Sequence, residues 1–447
     1  MEYDLVVIGG GGAGATAATE AIKYANSRVL LITDEEHVAY PRCDLPHLFF
    51  SDESEVKDIL TDQIYDSQKN LEIKRKTKVT GVDFDGKTLR VRDQAGREEE
   101  FGYSSLVIAT GSRVFRPPIE GIESEGVFFL RTLDHLMNIR PHIKDAKEIA
   151  VIGAGPIGVE LCELTTKQGK KATLVEALQN VLPRALDPDM ASIVEKTLVE
   201  NGINVVTGKG VNSLNSKNGK VTGVSVGDEE IPADTVFVST GSRPNVDFLK
   251  DTKLAFGPTG GIKTSNRLET NISGVFAAGD CAETQHLITK EPIIPFLGST
   301  ANKQGRIAGI NAMGGDLYYE GSLISGIMRV FDYEVGTVGI TQSYAKFKNH
   351  PCTVSKVSQT ERPLCGPDEV KGTVKMVADP HGKILGCQII GEKVAPKIDQ
   401  IAVAIYKDTT TRELMLYETA YAPLISHCLN SISIAAGVIQ KKIDKSR

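Results

Sequence analysis

The sequence predicts an α/β protein: two units built on parallel sheets, then a smaller α+β unit at the C-terminal end. Three observations carry that expectation. A buried strand, a tight glycine turn and a helix follow one another in "YDLVVIGGGGAGATAATEAI" (3–22). The same succession recurs in "KEIAVIGAGPIGVELCELTTKQGKKATLVEA" (147–177). Further on, "VKGTVKMVADPHGKILGCQIIGEKVAPKIDQIAVAI" (370–405) reads as two alternating strands joined by Asp-Pro-His-Gly, then an amphipathic helix. The length of 447 residues has room for this plan, at about 100–200 residues per domain.

Each element has a physical reason. Gly9, Gly11 and Gly14 stand at G-x-G-x-x-G spacing. Glycine is needed there three times: to turn the chain, to let a pyrophosphate approach the backbone, and to let helix pack on strand. The N–H groups at the helix start, and its dipole, favour negative charge. The next strand, "RVLLITDEE" (28–36), leads into Asp34 and Glu35. A carboxylate here binds ribose hydroxyls; Asp34 is the expected one and Glu35 the alternative. In the second unit Gly153, Gly155 and Gly158 repeat the spacing, and the following strand ends at Glu176. That acid accepts from the 2′-OH of NAD and repels the 2′-phosphate of NADP. No Arg follows it closely, so NADH is expected, with NADPH possible. One glycine loop is a weak signal. Two Rossmann-like units in one chain, each with a terminal acid, imply electron transfer between two dinucleotides, most simply FAD and NAD(P)H.

Composition removes other classes. Apolar residues make up 41% and charged residues 24%, as in ordinary globular proteins. A net charge of −6 and the absence of Trp argue against nucleic acid as the main partner. No run of about 18 uncharged apolar residues predicts a membrane span. The cysteines are Cys43, Cys162, Cys281, Cys352, Cys365, Cys387 and Cys428, with no C-x-x-C pair. Neither a metal site nor a disulfide framework is expected. An odd number of cysteines, with no export signal in view, points to free thiols in a reducing cytoplasm.

With these units in place, the chain resembles the pyridine nucleotide–disulfide oxidoreductases, flavoproteins with two dinucleotide-binding domains. "SSLVIATGSRVFRPP" (104–118) is similar to the crossover that ends their first FAD segment, and "DTVFVSTGSRPNVDFL" (234–249) to its counterpart after the NAD segment. "TNISGVFAAGDCAE" (270–283) is similar to their second FAD motif, in which Asp280 would accept from the ribityl chain. The resemblance implies a first FAD segment at 1–115, an NAD-binding domain at 116–242, a second FAD segment at 243–322 and a dimerisation domain at 323–447. It further implies FAD contacts from Ala15, Val79, Ala109, Thr110, Gly111, Arg131, Gly279, Leu297 and Ala301. For NAD it implies Ile157, Glu160 and Gly241. It also implies a homodimer whose active sites borrow residues from the partner.

Cys43 lies in "AYPRCDLPHLF" (39–49), and the residue five beyond it is Leu48, so no dithiol couple exists here. The pattern resembles the family's single-cysteine branch: coenzyme A-disulfide reductases, NADH oxidases and peroxidases, and persulfide or polysulfide reductases. "IIPFLGSTANKQGRIAGIN" (293–311) matches the segment that lies against the flavin in that branch. A lone cysteine is commonly a small core residue; between two cofactor segments it reads as a nucleophile. Cations and helix starts lower a thiol's pKa. "DLPHLFF" is expected to begin a helix directly after Cys43, with Arg42 supplying charge. Arg42 and Tyr40 are candidate substrate contacts.

Tyr421, in "ETAYAPLISHC" (418–428), matches the Tyr-Ala-Pro of the coenzyme A-disulfide reductases, whose tyrosine reaches the partner's site. Two departures stand beside it: Cys365 replaces part of the family's Tyr-Tyr-Pro-Gly stretch, and His427-Cys428 follow where Ser-Ala-Lys-Asp-Pro is usual. Cys365, His427 and Cys428 are therefore candidate substrate contacts, and the expected acceptor widens from coenzyme A disulfide to persulfides and polysulfides. The peroxidases' loop histidine is missing between Gly9 and Ala15. The alternatives are an NADH oxidase using O₂ and, in another class, a flavoprotein electron carrier or redox sensor.

Overall fold

The computed structural model describes residues 2–360, 371–422 and 426–446. The chain forms two compact units. The first gathers 1–115, 130–140 and 241–322; the second gathers 116–129, 141–240 and 323–447.

In the first unit a seven-stranded sheet runs in the order Leu71–Lys74, Val29–Ile32, Glu2–Ile8, Glu98–Ile108, Thr88–Asp93, Thr77–Asp83, with Val275–Ala277 also paired to Glu98–Ile108. Its nucleotide-binding half is parallel, with Ile8 opposite both Ile32 and Ile108. Leu5, Val6, Val7, Leu30 and Leu31 are all fully buried. Both faces of these strands are covered, so their continuous apolar runs carry no alternation. Helix Gly12–Ala25 presents Ala13, Ala17, Ala18 and Ala21 inward. It packs against helix Gly298–Ala312 at backbone distance. A Cβ on Gly305 would overlap the Ala13 carbonyl, and one on Gly309 the Ala17 carbonyl. This contact sets the first turn of Gly298–Ala312 beside the glycine loop.

The sequence places 116–242 in a single segment, whereas Leu130–Arg140 packs within the first unit. Polar contacts hold it there, among them Arg131 Nε donating to the Ser112 carbonyl at 3.2 Å. Arg131 pairs with Asp280 at 3.0 Å. The Leu133 N–H donates to Tyr40 Oη at 3.1 Å. The Arg140 guanidinium donates to the Ser51 carbonyl.

The second unit holds a parallel five-stranded sheet in the order Asn204–Thr207, Lys171–Glu176, Glu148–Ile152, Thr235–Val238, Val127–Phe128. It also holds an antiparallel five-stranded sheet, Gly326–Val330, Tyr333–Gly339, Ile384–Gly391, Lys371–Ala378, Thr353–Thr360. The expected strand pair and helix are Lys371–Ala378, Ile384–Gly391 and Val394–Tyr406. The expected half-exposed alternation is absent: every residue of Ile384–Gly391 is buried. One face meets Val394 and Ile398 of the helix, which crowd Gly336. On the other face Thr337 donates to the Ala185 carbonyl at 3.1 Å. Gln388 and the buried Lys375 reach Asp187 from that face, at 2.7 and 3.1 Å. Among the described residues no helix is long and apolar enough to cross a membrane.

Candidate active site

A cavity of about 760 Å³ opens at the carboxyl ends of the first unit's parallel strands, lined by Ile8, Ile32, Ala109 and Ala278 at the strand ends. The glycine loop forms its floor. Gly9 has φ +110°, and a Cβ there would overlap the Ala109 carbonyl. A Cβ on Gly14 would overlap the Gly9 carbonyl. Gly11 caps helix Gly12–Ala25 without a side-chain hydrogen bond, and within 4 Å of a Cβ on it lies only Arg42 Nη2, at 3.8 Å. Packing thus fills two glycine positions and leaves the third open beside uncapped N–H groups, which suits a pyrophosphate.

The cavity collects most of the residues expected for FAD: Gly9, Gly11, Asp34, Val79, Ala109, Thr110, Gly111, Arg131, Gly279, Asp280 and Ala301. Gly14 and Ala15 stand behind the loop; Ala15 is fully buried and its N–H donates to Gly11. Leu297 is the N-cap of Gly298–Ala312, and its neighbours Phe296 and Gly298 line the wall instead. Asp280 accepts from Ser112 Oγ at 2.9 Å and from Arg131 at 3.0 Å. Thr16, Tyr65, Asn245, Phe248 and Asn302 also line the cavity. The sequence reading named none of them, although Thr16, Asn245, Phe248 and Asn302 lie within segments quoted above; Tyr65 reaches the wall through tertiary packing alone.

Cys43 lies on the same wall and is exposed. After strand Val29–Ile32 the chain folds back over the glycine loop, where the Ala39 N–H donates to the Gly10 carbonyl at 2.8 Å. It then enters a 3₁₀ turn, Arg42–Leu48. The expected helix start after Cys43 is corrected: the helix begins at Arg42, so Cys43 is inside its first turn. The charge expected from Arg42 is shared with a carboxylate. The Arg42 guanidinium donates to Glu35, which also accepts from the Tyr40 hydroxyl. Burial, and the Glu35 carboxylate beside it, push the Tyr40 phenol well above its usual range despite Arg42 nearby.

The other described thiols divide sharply. Burial raises those of Cys162 and Cys281, and that of Cys387 to about 12. Burial also raises the half-buried Cys352. Such thiols resist ionisation. Cys43 and Cys428 are exposed. Cys365 lies outside the described residues.

The second unit repeats the loop geometry. Gly153 has φ +102°, a Cβ on Gly158 would overlap the Gly153 carbonyl, and one on Gly155 would meet nothing within 4 Å. Gly155 caps helix Pro156–Lys167 with Pro at its start, where the missing N–H costs nothing. Glu176 Oε2 accepts from the Ala154 N–H at 2.8 Å and Oε1 from the Leu178 N–H at 2.9 Å, so the acid buttresses the loop. Ile157 is exposed and Glu160 half-buried on the same helix. Gly241, with φ +110°, belongs to the first unit. Tyr421 is 56% exposed in the second unit, with His427 half-buried and Cys428 exposed after it. Both glycine loops therefore fit dinucleotides on steric grounds alone. No group of His, Cys, Asp and Glu that could hold a metal ion occurs among the described residues.

Comparison with known proteins matches the same regions. Residues 3–305 match the pyridine nucleotide-disulphide oxidoreductase model, and 327–431 its dimerisation domain. An NADH oxidase of Methanocaldococcus jannaschii is 34% identical over 444 residues, covering 98% of this chain and 99% of the relative. An NAD(P)H coenzyme A polysulfide/persulfide reductase of Pyrococcus horikoshii is 27% identical over 445 residues, covering 98% and 99%. A solved NAD-dependent persulfide reductase from A. fulgidus superposes with a TM-score of 0.94 at 32% identity, over 100% of this chain and 84% of that one. The chain therefore belongs to the pyridine nucleotide-disulphide oxidoreductase family, whose cofactors are FAD and NAD(P)H.

Proposed function

We propose that the chain is an FAD-dependent, NADH-driven reductase of low-molecular-weight disulfides, persulfides or polysulfides, with coenzyme A as a substrate moiety. One observation carries this reading: Cys43 is an exposed thiol on the wall of the cavity that the glycine loop floors. The polysulfide/persulfide and persulfide reductases among its relatives support the choice of acceptor.

The Cys43 thiolate attacks a sulfur of the acceptor R–S–S–R′, forming Cys43–S–S–R and expelling R′–S⁻. Tyr421 of the partner subunit protonates the leaving thiolate, in a homodimer with shared sites. When bound, FAD and NADH would supply the two electrons needed to reopen the mixed disulfide. Cys43 then returns to thiolate and R–SH leaves with one proton. Asp34, Asp280 and Arg131 would hold FAD in the first cavity, and Glu160 and Glu176 would serve NADH.

Steady-state NADH oxidation with coenzyme A disulfide, coenzyme A persulfide and polysulfide, under argon, tests the reading. Cys43→Ser should lose at least about a hundredfold of this activity, as expected for a covalent nucleophile. Undiminished turnover in that variant would remove the proposal. The M. jannaschii relative favours a second reading, an NADH oxidase in which Cys43 cycles through a sulfenate. O₂ uptake exceeding the sulfur activity would select it.

A further inference from the structure

Glu35, Tyr40 and Arg42 form a closed set of contacts on the cavity wall. The Glu35 carboxylate takes one hydrogen bond from Tyr40 and one from Arg42 Nη2. Tyr40 is 5% exposed and anchored by the Leu133 N–H at 3.1 Å. The Arg42 guanidinium carbon sits 5.5 Å from the Tyr40 ring centroid. Glu35 is fixed from behind, since its N–H donates to Thr33 Oγ1 at 3.2 Å and its carbonyl accepts from the Lys76 N–H at 3.2 Å.

Two consequences follow. Both Glu35 oxygens are already engaged within this set, whereas Asp34 is exposed on the same wall. Arg42, by contrast, keeps spare capacity. A guanidinium has five donors, and among the described residues its side chain hydrogen-bonds only to Glu35. Its Nη2 lies 3.8 Å from the Cβ position of Gly11, the loop residue that packing leaves open.

We propose that Arg42 is a phosphate-binding residue of the dinucleotide cavity, and that Glu35 positions it. This rests on the reading of that cavity as the FAD site. The guanidinium is pinned by an ion pair and an aromatic face, so little side-chain entropy remains to be lost on binding. Nη2, which donates to Glu35, also stands 3.8 Å from the Cβ position of Gly11, at the loop that offers backbone donors. Planar, forked donors of this kind match phosphate oxygens. A phosphate could come from the dinucleotide or from a phosphate-bearing thiol substrate; the proximity to Gly11 favours the dinucleotide.

FAD release from the purified holoenzyme, followed by flavin fluorescence after dilution at low and high salt, tests this. Arg42→Met should release FAD about tenfold faster at low salt, the loss of one charge-assisted hydrogen bond. It should also show a weaker salt dependence. Arg42→Lys should recover part of both, and guards against a folding defect. If Glu35 acts only through Arg42, the double variant Arg42→Met/Glu35→Gln releases FAD no faster than Arg42→Met alone. Multiplied losses would make Glu35 a contact of its own and overturn its positioning role. Unchanged release from Arg42→Met overturns the proposal. If it comes with a raised KM for coenzyme A persulfide relative to inorganic polysulfide, Arg42 belongs to the substrate instead. Wild-type protein that takes up no FAD removes the functional reading, and this proposal with it.

Discussion

At Glu176 a single carboxylate has two duties. It accepts from the Ala154 and Leu178 N–H groups at 2.8 and 2.9 Å, and under the proposed reading its charge would repel a 2′-phosphate. Glu176→Gln keeps one acceptor and removes the charge. The ratio of kcat/KM for NADPH over NADH should rise about tenfold, while activity with NADH falls. An unchanged ratio would show that the selection lies elsewhere. The acid was legible in the sequence because a strand, a glycine loop and a second strand are contiguous, and their spacing is local. The Glu35–Arg42 contact was not. Seven residues separate its partners, and only the fold-back of 33–41 over Gly10 turns that separation into contact. The Arg131–Asp280 pair spans 149 positions, so the family resemblance could name both members without pairing them.

The helix pair Gly12–Ala25 and Gly298–Ala312 shows what small residues achieve as elements. Neither Gly305 nor Gly309 has a positive φ; each is glycine because the facing backbone occupies the place of a side chain. Gly305→Ala should destabilise the first unit by about 1–3 kcal/mol, as overpacking does. It should also loosen FAD, since Ala301 and Asn302 ride on the same helix. Urea unfolding monitored beside flavin fluorescence reads both effects. Loss of neither would show that the two helices part without cost. The residues are visible in "QGRIAGIN", but a sequence does not say which helix they face. The same ignorance misled the reading of Ile384–Gly391. Its pattern allowed a half-exposed strand, and only the helix on one face and the Asp187 loop on the other make it central.

On the scale of the whole molecule, the second unit is fastened by charge. Asp187, 1% exposed, accepts from the Ser343 N–H at 2.7 Å, from Gln388 at 2.7 Å and from Lys375 at 3.1 Å. Burial works to raise its pKa, but the hydrogen bonds from Ser343, Gln388 and Lys375 outweigh it and hold the carboxyl below its ordinary value. Asp189 is lowered likewise, against burial, by Lys375 and Lys356. A carboxyl depressed in the folded state stabilises above its unfolded pKa of about 3.9, and that contribution fades as pH falls below it. Acid unfolding of this unit should therefore begin below about pH 4. In Lys375→Met it should be weaker at neutral pH by about 3–5 kcal/mol, because a buried carboxylate loses its cation. Thermal melts across pH 3–8 check both; a flat profile in the variant and the wild type alike would refute the assignment. Such a bond between residues 187 and 375 has no sequence signal, since a Lys in a strand reads as a solvent-facing residue.

The first unit is written in three instalments, 1–115, 130–140 and 241–322, and its cavity draws on all of them, with Asn302 the most distant contributor. During synthesis the glycine loop emerges early and must wait through most of the intervening unit before Asp280 and the helix at 298 leave the ribosome. Closing so long a loop is a slow, late event. The cavity wall is therefore complete only after residue 302 has emerged, and until then the apolar strands of the first unit lack the helix that packs on them.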